Sequence, residues 1–340
     1  YTPTHTLSLH DALPISDSRR ARRSIIMIES AVEQQEADGQ ESRGFRLTYR
    51  DYFRTVFFDK VALVSVLFIV LLVVFAVGAD YLAPYDPLEQ SLTGRFQPPM
   101  SESVFREGGF PHLLGTDELG RDILSRIIHG ARASMAVGVS GALVSGLVGI
   151  LLGLFAGYYG GLFEDIVMRI VDGMLSLPSL LIALFVLFVI GGGFPNLILI
   201  FTLLRWMIYA RMTRGMTLAH RDSTFVTAAK AVGCRDRHII FRHILPNMAS
   251  SLIVLMVLEV AFLVITESSL SFLGFGIQPP NPSWGTMISR GREYIRHSWW
   301  LVTFPGLAIF LTTLSLNLFA NLIRTITDPA QRWRWFRVKD

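Results

Sequence analysis

The chain has 340 residues, 51% of them hydrophobic and only 17% charged, with a mean hydropathy of +0.45. That is too apolar for an ordinary soluble domain and points to several membrane spans. The net charge of +4 does not argue for nucleic acid, because no aromatic-rich basic groove accompanies it, and the single cysteine, Cys234, excludes an intramolecular disulfide.

The chain opens on Tyr1, and the run from Thr6 to Ile15 resembles a translated sequencing adapter. Residues 1–16 are therefore not expected to belong to the fold, with Met27 as the expected start. Residues 17–60 read as a cytoplasmic arm, and Glu29 to Glu41, poor in large apolar side chains, is expected to be disordered.

Hydrophobic spans follow, each measured against the roughly 20 apolar residues that cross a bilayer as helix. Val61 to Gly78 is uncharged and follows Arg46, Arg50, Arg54 and Lys60, which places the N-terminus in the cytosol. Ala76-Val-Gly78 faintly resembles a signal-cleavage site, but the long polar region before it favours an uncleaved anchor. Residues 79–132 carry eight acidic side chains between Asp80 and Asp122 and belong outside. Thr116 or Asp117 can cap a helix there whose Leu119, Ile123, Ile127 and Ile128 make an apolar stripe, expected to lie along the membrane surface.

The second span, Ala133 to Gly157, repeats small residues at Gly141, Ser145, Gly149, Gly153 and Gly157. Spacing by four sets them on one helix face, where another helix can approach closely. The uncharged run from Gly173 to Leu204 is too long for one crossing, and Gly191-Gly-Gly-Phe-Pro195 reads as its outer turn, with Pro178 and Pro195 as kink and turn residues. In the short next crossing Arg205 is expected to snorkel to the cytosolic interface beside Trp206 and Tyr209. Asn247 to Thr266 and Trp299 to Ile323 complete six crossings, leaving both termini, including the tail 324–340, in the cytosol.

Between the fourth and fifth crossings, residues 211–246 carry seven basic side chains against Asp222 and Asp236, the bias of a cytosolic loop. Arg290, Arg292 and Arg296, in an outer connection, run against that rule. Within the basic loop Ala228 to Val232 favour a helix, Gly233 can end it left-handed, and Pro246 can open the next. Two short helices joined at Gly233 would make a knob whose small residues can press into a groove of another protein.

The spacing Ala228-Ala229, three residues, Gly233, then His243-Ile-Leu245-Pro246 resembles the coupling loop by which membrane subunits of ABC importers dock on their ATPases. Thr227 stands where that pattern has a Glu. Further matches are Leu82-Ala-Pro-Tyr-Asp-Pro87, Leu114 to Asp122 with Gly115, Thr116, Asp117, Gly120, Arg121 and Asp122, then Glu267 to Gly274, and Pro282-Ser-Trp284-Gly285. Together they resemble the dipeptide/oligopeptide/nickel permease family, its second permease subunit above all, over residues 45–329. Phe319 to Arg324 departs from the family's Gly-Asp-Gly-Leu-Arg.

That resemblance implies an all-α integral membrane protein of about six transmembrane helices in the type I importer (MetI-like) permease fold, in a bacterial or archaeal cytoplasmic membrane. It implies as partners a second homologous permease subunit, two cytoplasmic ABC ATPase subunits, an extracytoplasmic substrate-binding protein and the lipid bilayer. ATP and Mg would sit on the ATPases, and no cofactor on this chain. Di- or oligopeptides, nickel, opines and glycosides remain open as substrates.

Glu259 is the candidate pathway residue, since a carboxylate in mid-bilayer must face protein, water or a cation. Glu267 reads as a helix-end or packing group. The phosphate loop, zinc helix and nucleophile elbow of common enzymes are missing from the sequence, and His238 and His243 form no metal-ligand pattern. The alternative is an ion-coupled secondary transporter or channel moving charge through Glu259 and Arg205, although no internal repeat supports it.

Overall fold

Among the described residues four helices are long and apolar enough to cross a bilayer: α1 (Lys60–Leu82), α2 (Ile123–Tyr159), α7 (Asp236–Phe272) and α9 (Trp300–Thr327). The computed structural model describes residues 60–105 and 108–327. The expectations for residues 1–59, and for the tail beyond 327, lie outside the described residues. Between the long helices stand α3 (Gly161–Leu175), α4 (Ser179–Ile190), α5 (Phe194–Arg221), α6 (Thr224–Ala231) and α8 (Trp284–Gly291). Helices α3 and α4 meet at 87°, and counted as one bent crossing they make a fifth. Pro178, with φ −65°, stands at that bend, where it has no N–H to carry a helical ladder across.

Helix α5 holds Arg205, Arg211 and Arg214 and falls short on hydropathy, yet its 28 residues span about 42 Å. It runs alongside α2 in the same direction, because Gly149, Gly153 and Gly157 face the carbonyls of Trp206, Ala210 and Arg214 in turn. A methyl group at Gly149 would come within 2.2 Å of the Trp206 oxygen, and one at Gly153 within 2.3 Å of the Ala210 oxygen. The four-residue spacing of small residues is thus a seam into which a neighbouring backbone fits. Ser145, in the same row, donates to the Gly141 carbonyl at 2.6 Å.

The seam orders the molecule into two ends. At one, the C-termini of α2 and α5 meet α6 and the start of α7. At the other, Gly193 donates to the Gly276 carbonyl at 3.1 Å, and Thr116 and Glu118 meet Trp300 at the start of α9 and Arg290 of α8. Between them Leu197, Ile200 and Phe201 of α5 pack with Ala183 and Leu187 of α4 and Leu263 and Leu270 of α7. Val64, Leu67, Val74 and Val77 of α1, and Leu181, Phe185 and Phe188 of α4, stay exposed, as side chains facing lipid tails do.

The surface helix expected ahead of the second span is not separate. Ile123, Ile127 and Ile128 belong to the first turns of α2, which runs unbroken for 37 residues. Its cap is Asp122, six residues beyond Thr116 and five beyond Asp117, and it accepts from the Ser125 N–H at 2.8 Å and Ser125 Oγ at 2.7 Å. Nothing from Ile123 to Ala133 breaks a helix, so the surface stripe and the span become one element. Helix α3 carries no span-like signal in the sequence. Its Glu164 and Asp172 pair with Arg214 and Arg211 of α5, while Val167 and Val171 pack against Met207 and Ala210.

Candidate functional site

Three groups of residues carry the sequence motifs, one at each end and one in the middle. The first group is a knob built by α6 and the first turns of α7. Val226 is fully buried and anchors α6 among Leu154, Tyr158, Ile239, Ile240 and Ile244. Tyr158 donates to Asp236 at 2.6 Å, and the Lys230 ammonium lies 5.3 Å from the Tyr158 ring centre.

Helix α6 ends on Gly233 at φ +79°. Its N–H bonds the Lys230 carbonyl at 3.0 Å, and that of Cys234 bonds the Ala229 carbonyl at 3.1 Å. This is the paired closure that a left-handed glycine permits at a helix end. From Ile239 to Ile244 the chain makes a wide turn, Leu245 N–H reaching back to the Ile240 carbonyl. Pro246 follows at once, and its missing N–H accounts for the change of ladder.

Around this frame the knob is open. Thr227, Ala228, Gly233 and Pro246 are exposed, Ala229, His243 and Leu245 half-buried, and Val232 is 82% exposed. Arg235, Arg237 and Arg242 are exposed and have no acidic partner among the described residues. Arg211, Arg214 and Arg221 of the same basic loop do pair, with Asp172, Glu164 and Asp222. Ala229 packs against the buried cluster and Ala228 does not.

The group at the opposite end is closed on itself. Asp117 accepts the N–H groups of Leu119 and Arg121 at 2.9 Å each and the Arg121 guanidinium at 2.7 Å. Arg126 stands 3.6 Å from the same carboxylate. His112 Nε2 accepts from the Val104 N–H at 3.3 Å, which leaves Nδ1 to donate to Asp122 at 2.8 Å. Thr116 donates to the Gly94 carbonyl and receives the Gln97 N–H. Gly120, at φ +73°, has room for no side chain, since a Cβ there would fall 1.9 Å from the Ser91 oxygen.

The more distant motifs converge on this cluster. Trp300 donates to the Thr116 carbonyl at 3.2 Å, and the buried Trp284 to that of Ile127 at 3.0 Å. Gly115 lies under the Gln97 carbonyl and Gly285 under that of Ser268, while Gly274 ends α7 at φ +91°. Glu118 faces Arg290 at 3.5 Å, and the Arg292 guanidinium lies over the Phe272 ring at 5.2 Å. Two of the arginines that run against the charge rule are thereby matched locally; nothing in the structure explains Arg296.

In mid-span Arg205 does not snorkel. It donates Nε–H to Glu259 at 2.7 Å and Nη2–H at 2.6 Å, a two-point pair between α5 and α7. Phe262 lies under the guanidinium at 4.0 Å. Trp206 and Tyr209, expected at an interface, instead line the seam with α2, and Tyr209 is fully buried. A lone Arg in one span and a lone Glu in the next were the available signal for this pair, because each charge in the bilayer needs the other. Glu267, one helical end further on, is fully buried and accepts from Ser271 at 2.6 Å and Ser134 at 2.9 Å. Among the described residues no three His, Cys, Asp or Glu side chains converge on a metal position.

Comparison with known proteins gives this arrangement a context. Residues 149–333 match the family described as "Binding-protein-dependent transport system inner membrane component", and residues 48–99 match "N-terminal TM domain of oligopeptide transport permease C". The di/tripeptide transport system permease protein of Pseudomonas aeruginosa (strain UCBPP-PA14) is 40% identical over 82% of this chain and 91% of its own length. The dipeptide transport system permease protein of Escherichia coli K12 is 42% identical over 80% and 89%. The glutathione transport system permease protein of Pectobacterium atrosepticum is 38% identical over 84% and 93%.

Proposed function

The chain belongs to the binding-protein-dependent transport system inner membrane component family and is a multi-pass permease subunit of an ABC importer; from that premise we propose how it works. It forms half of a translocation pathway with a second, homologous permease subunit. Six crossings, with α5 and the bent α3–α4 pair as two of them, leave both termini in the cytosol. ATP and Mg belong to two separate ATPase subunits, a binding protein delivers the solute from outside, and this chain holds no cofactor. Peptides are the substrate class, di- and tripeptides or glutathione, as the names of its relatives indicate.

The observation that carries this reading is the knob at α6. A buried Val226 and the Tyr158–Asp236 bond fix it to α2 and α7, while Ala228, Val232 and Gly233 are left open beside three arginines with no acidic partner among the described residues. Small exposed residues let a partner's surface approach the backbone, and the arginines meet its carboxylates. When the ATPases close on ATP they displace the knob, and the helices joined to it carry the motion into the bilayer. The Arg205–Glu259 pair neutralises the carboxylate that an ion-coupled carrier would need to titrate.

Ala228→Trp tests this better than a change at Ala229, whose methyl packs inward. The variant is expected to insert and to hold its permease partner, but to lose co-purification of the ATPases. Normal co-purification with normal peptide uptake overturns the reading.

A further inference from the structure

Arg205 has a use beyond holding Glu259. A guanidinium carries five N–H donors, of which the carboxylate takes two. No acceptor for the remaining three is found among the described residues, and Nη1, which carries two of them, is not among the buried polar atoms left without a partner. The Nη1 donors are therefore open to a space. That space is a groove of about 160 Å³ between α4, α5 and α7, whose lining includes Ser179, Phe201, Arg205, Phe262, Thr266 and Ser269.

Arg205 lies about 16 Å along α5 from its first residue, near the midplane of a hydrocarbon core roughly 30 Å thick. Lipid headgroups do not reach that depth, and open N–H donors are costly against lipid tails. The walls of the groove are mostly apolar, Leu180, Leu204 and Ile265 among them, so the open donors of Arg205 are left for water or a polar group of a solute that enters it. Its charge is also defined: Glu259 spends both oxygens on Arg205 and its side chain is 7% exposed. The cation faces the groove and the anion stands behind it. Phe262, stacked at 4.0 Å, holds the guanidinium plane, and the hydroxyls of Thr266 and Ser269, which donate to their own helix, keep oxygen lone pairs free for N–H groups.

We propose that this groove is a carboxylate-binding subsite of the translocation pathway, with Arg205 as its binding group and Glu259 as a positioning residue that touches no solute. A planar fork with free donors matches a carboxylate, and the hydroxyls accept the N–H groups of the same solute, the chemistry of a peptide's C-terminal end. The proposal rests on the permease reading but deepens it, since the candidate pathway carboxylate Glu259 is taken up by Arg205 and the site becomes an attractor of anions.

The test reads the charge of the groove without relying on transport or on ATPase docking. Thr266→Cys is made in a Cys234→Ser background, and the intact importer in membrane vesicles, with and without ATP, is treated with two small methanethiosulfonates. One carries a sulfonate and the other a trimethylammonium, and their rates are normalised to those with free 2-mercaptoethanol. A lone unit cation near 6 Å in water would favour the sulfonate over the trimethylammonium about tenfold, and with the Glu259 carboxylate a few ångströms further back opposing it the sulfonate is expected to react about threefold faster. Glu259→Gln should increase that preference, Arg205→Gln should reverse it, and the uncharged double variant Arg205→Gln/Glu259→Gln, which keeps a neutral pair, should bring the ratio to one. A wild-type preference for the cation, a ratio that survives loss of Arg205 in either variant, or no reaction with either reagent overturns the proposal. Each of those results leaves the coupling knob and the permease reading untouched.

Discussion

Two glycines in left-handed conformation, Gly120 in the closed cluster and Gly233 in the knob, have nearly the same backbone angle, φ +73° and +79°. Around Gly120 the Ser91 carbonyl occupies the space a side chain would need; around Gly233 there is nothing within 4 Å. The same contrast holds for whole regions. Asp117, Arg121, Asp122 and Thr116 are buried and bond to one another and to their own backbone, whereas Ala228, Val232 and Gly233 face outward. A motif whose side chains turn inward holds its own protein together, and one whose small residues turn outward leaves room for another.

Substitutions sharpen that contrast. The largest effect is expected from Gly120→Val, which meets both an unfavourable φ and a carbonyl 1.9 Å from its Cβ; it should cost more than about 3 kcal/mol and reduce membrane-inserted protein in a detergent thermal-shift assay. Asp122→Ala removes the α2 cap and leaves His112 buried without its acceptor, a loss of about 2–4 kcal/mol in the same assay. Gly233→Ala, with open space around it, should lose only about 1 kcal/mol. Smallest in stability is Ala228→Trp, below about 0.5 kcal/mol at an exposed site, although it should abolish ATPase binding. If Ala228→Trp destabilised the protein as much as Asp122→Ala, the inward and outward motifs would not differ as described.

How much of this was legible depended on whether a feature was periodic or pairwise. The seam at Gly149, Gly153 and Gly157 repeats every fourth residue, and the end of α6 at Gly233 follows from one residue type, so both could be read directly. The start of α2 could not, because Thr116, Asp117 and Asp122 are all good caps and only the folded turn selects among them. Helix α3 hid behind its own charges, which are matched by α5 rather than by solvent. The Arg205–Glu259 pair joins residues 54 apart, a separation no local pattern encodes; the scarcity of charge in the two spans was the clue, and it pointed to a partner rather than to an interface.

The central claim, that the α6 knob is a cytosolic lever gripped by separate ATPases, is tested most directly by Ala228→Cys in the Cys234→Ser background with a membrane-impermeant maleimide. The account predicts labelling in inverted vesicles stripped of ATPase subunits, protection when those subunits are restored, and none in intact cells. Labelling from the outside of intact cells, or equal labelling with and without the ATPases, would contradict it.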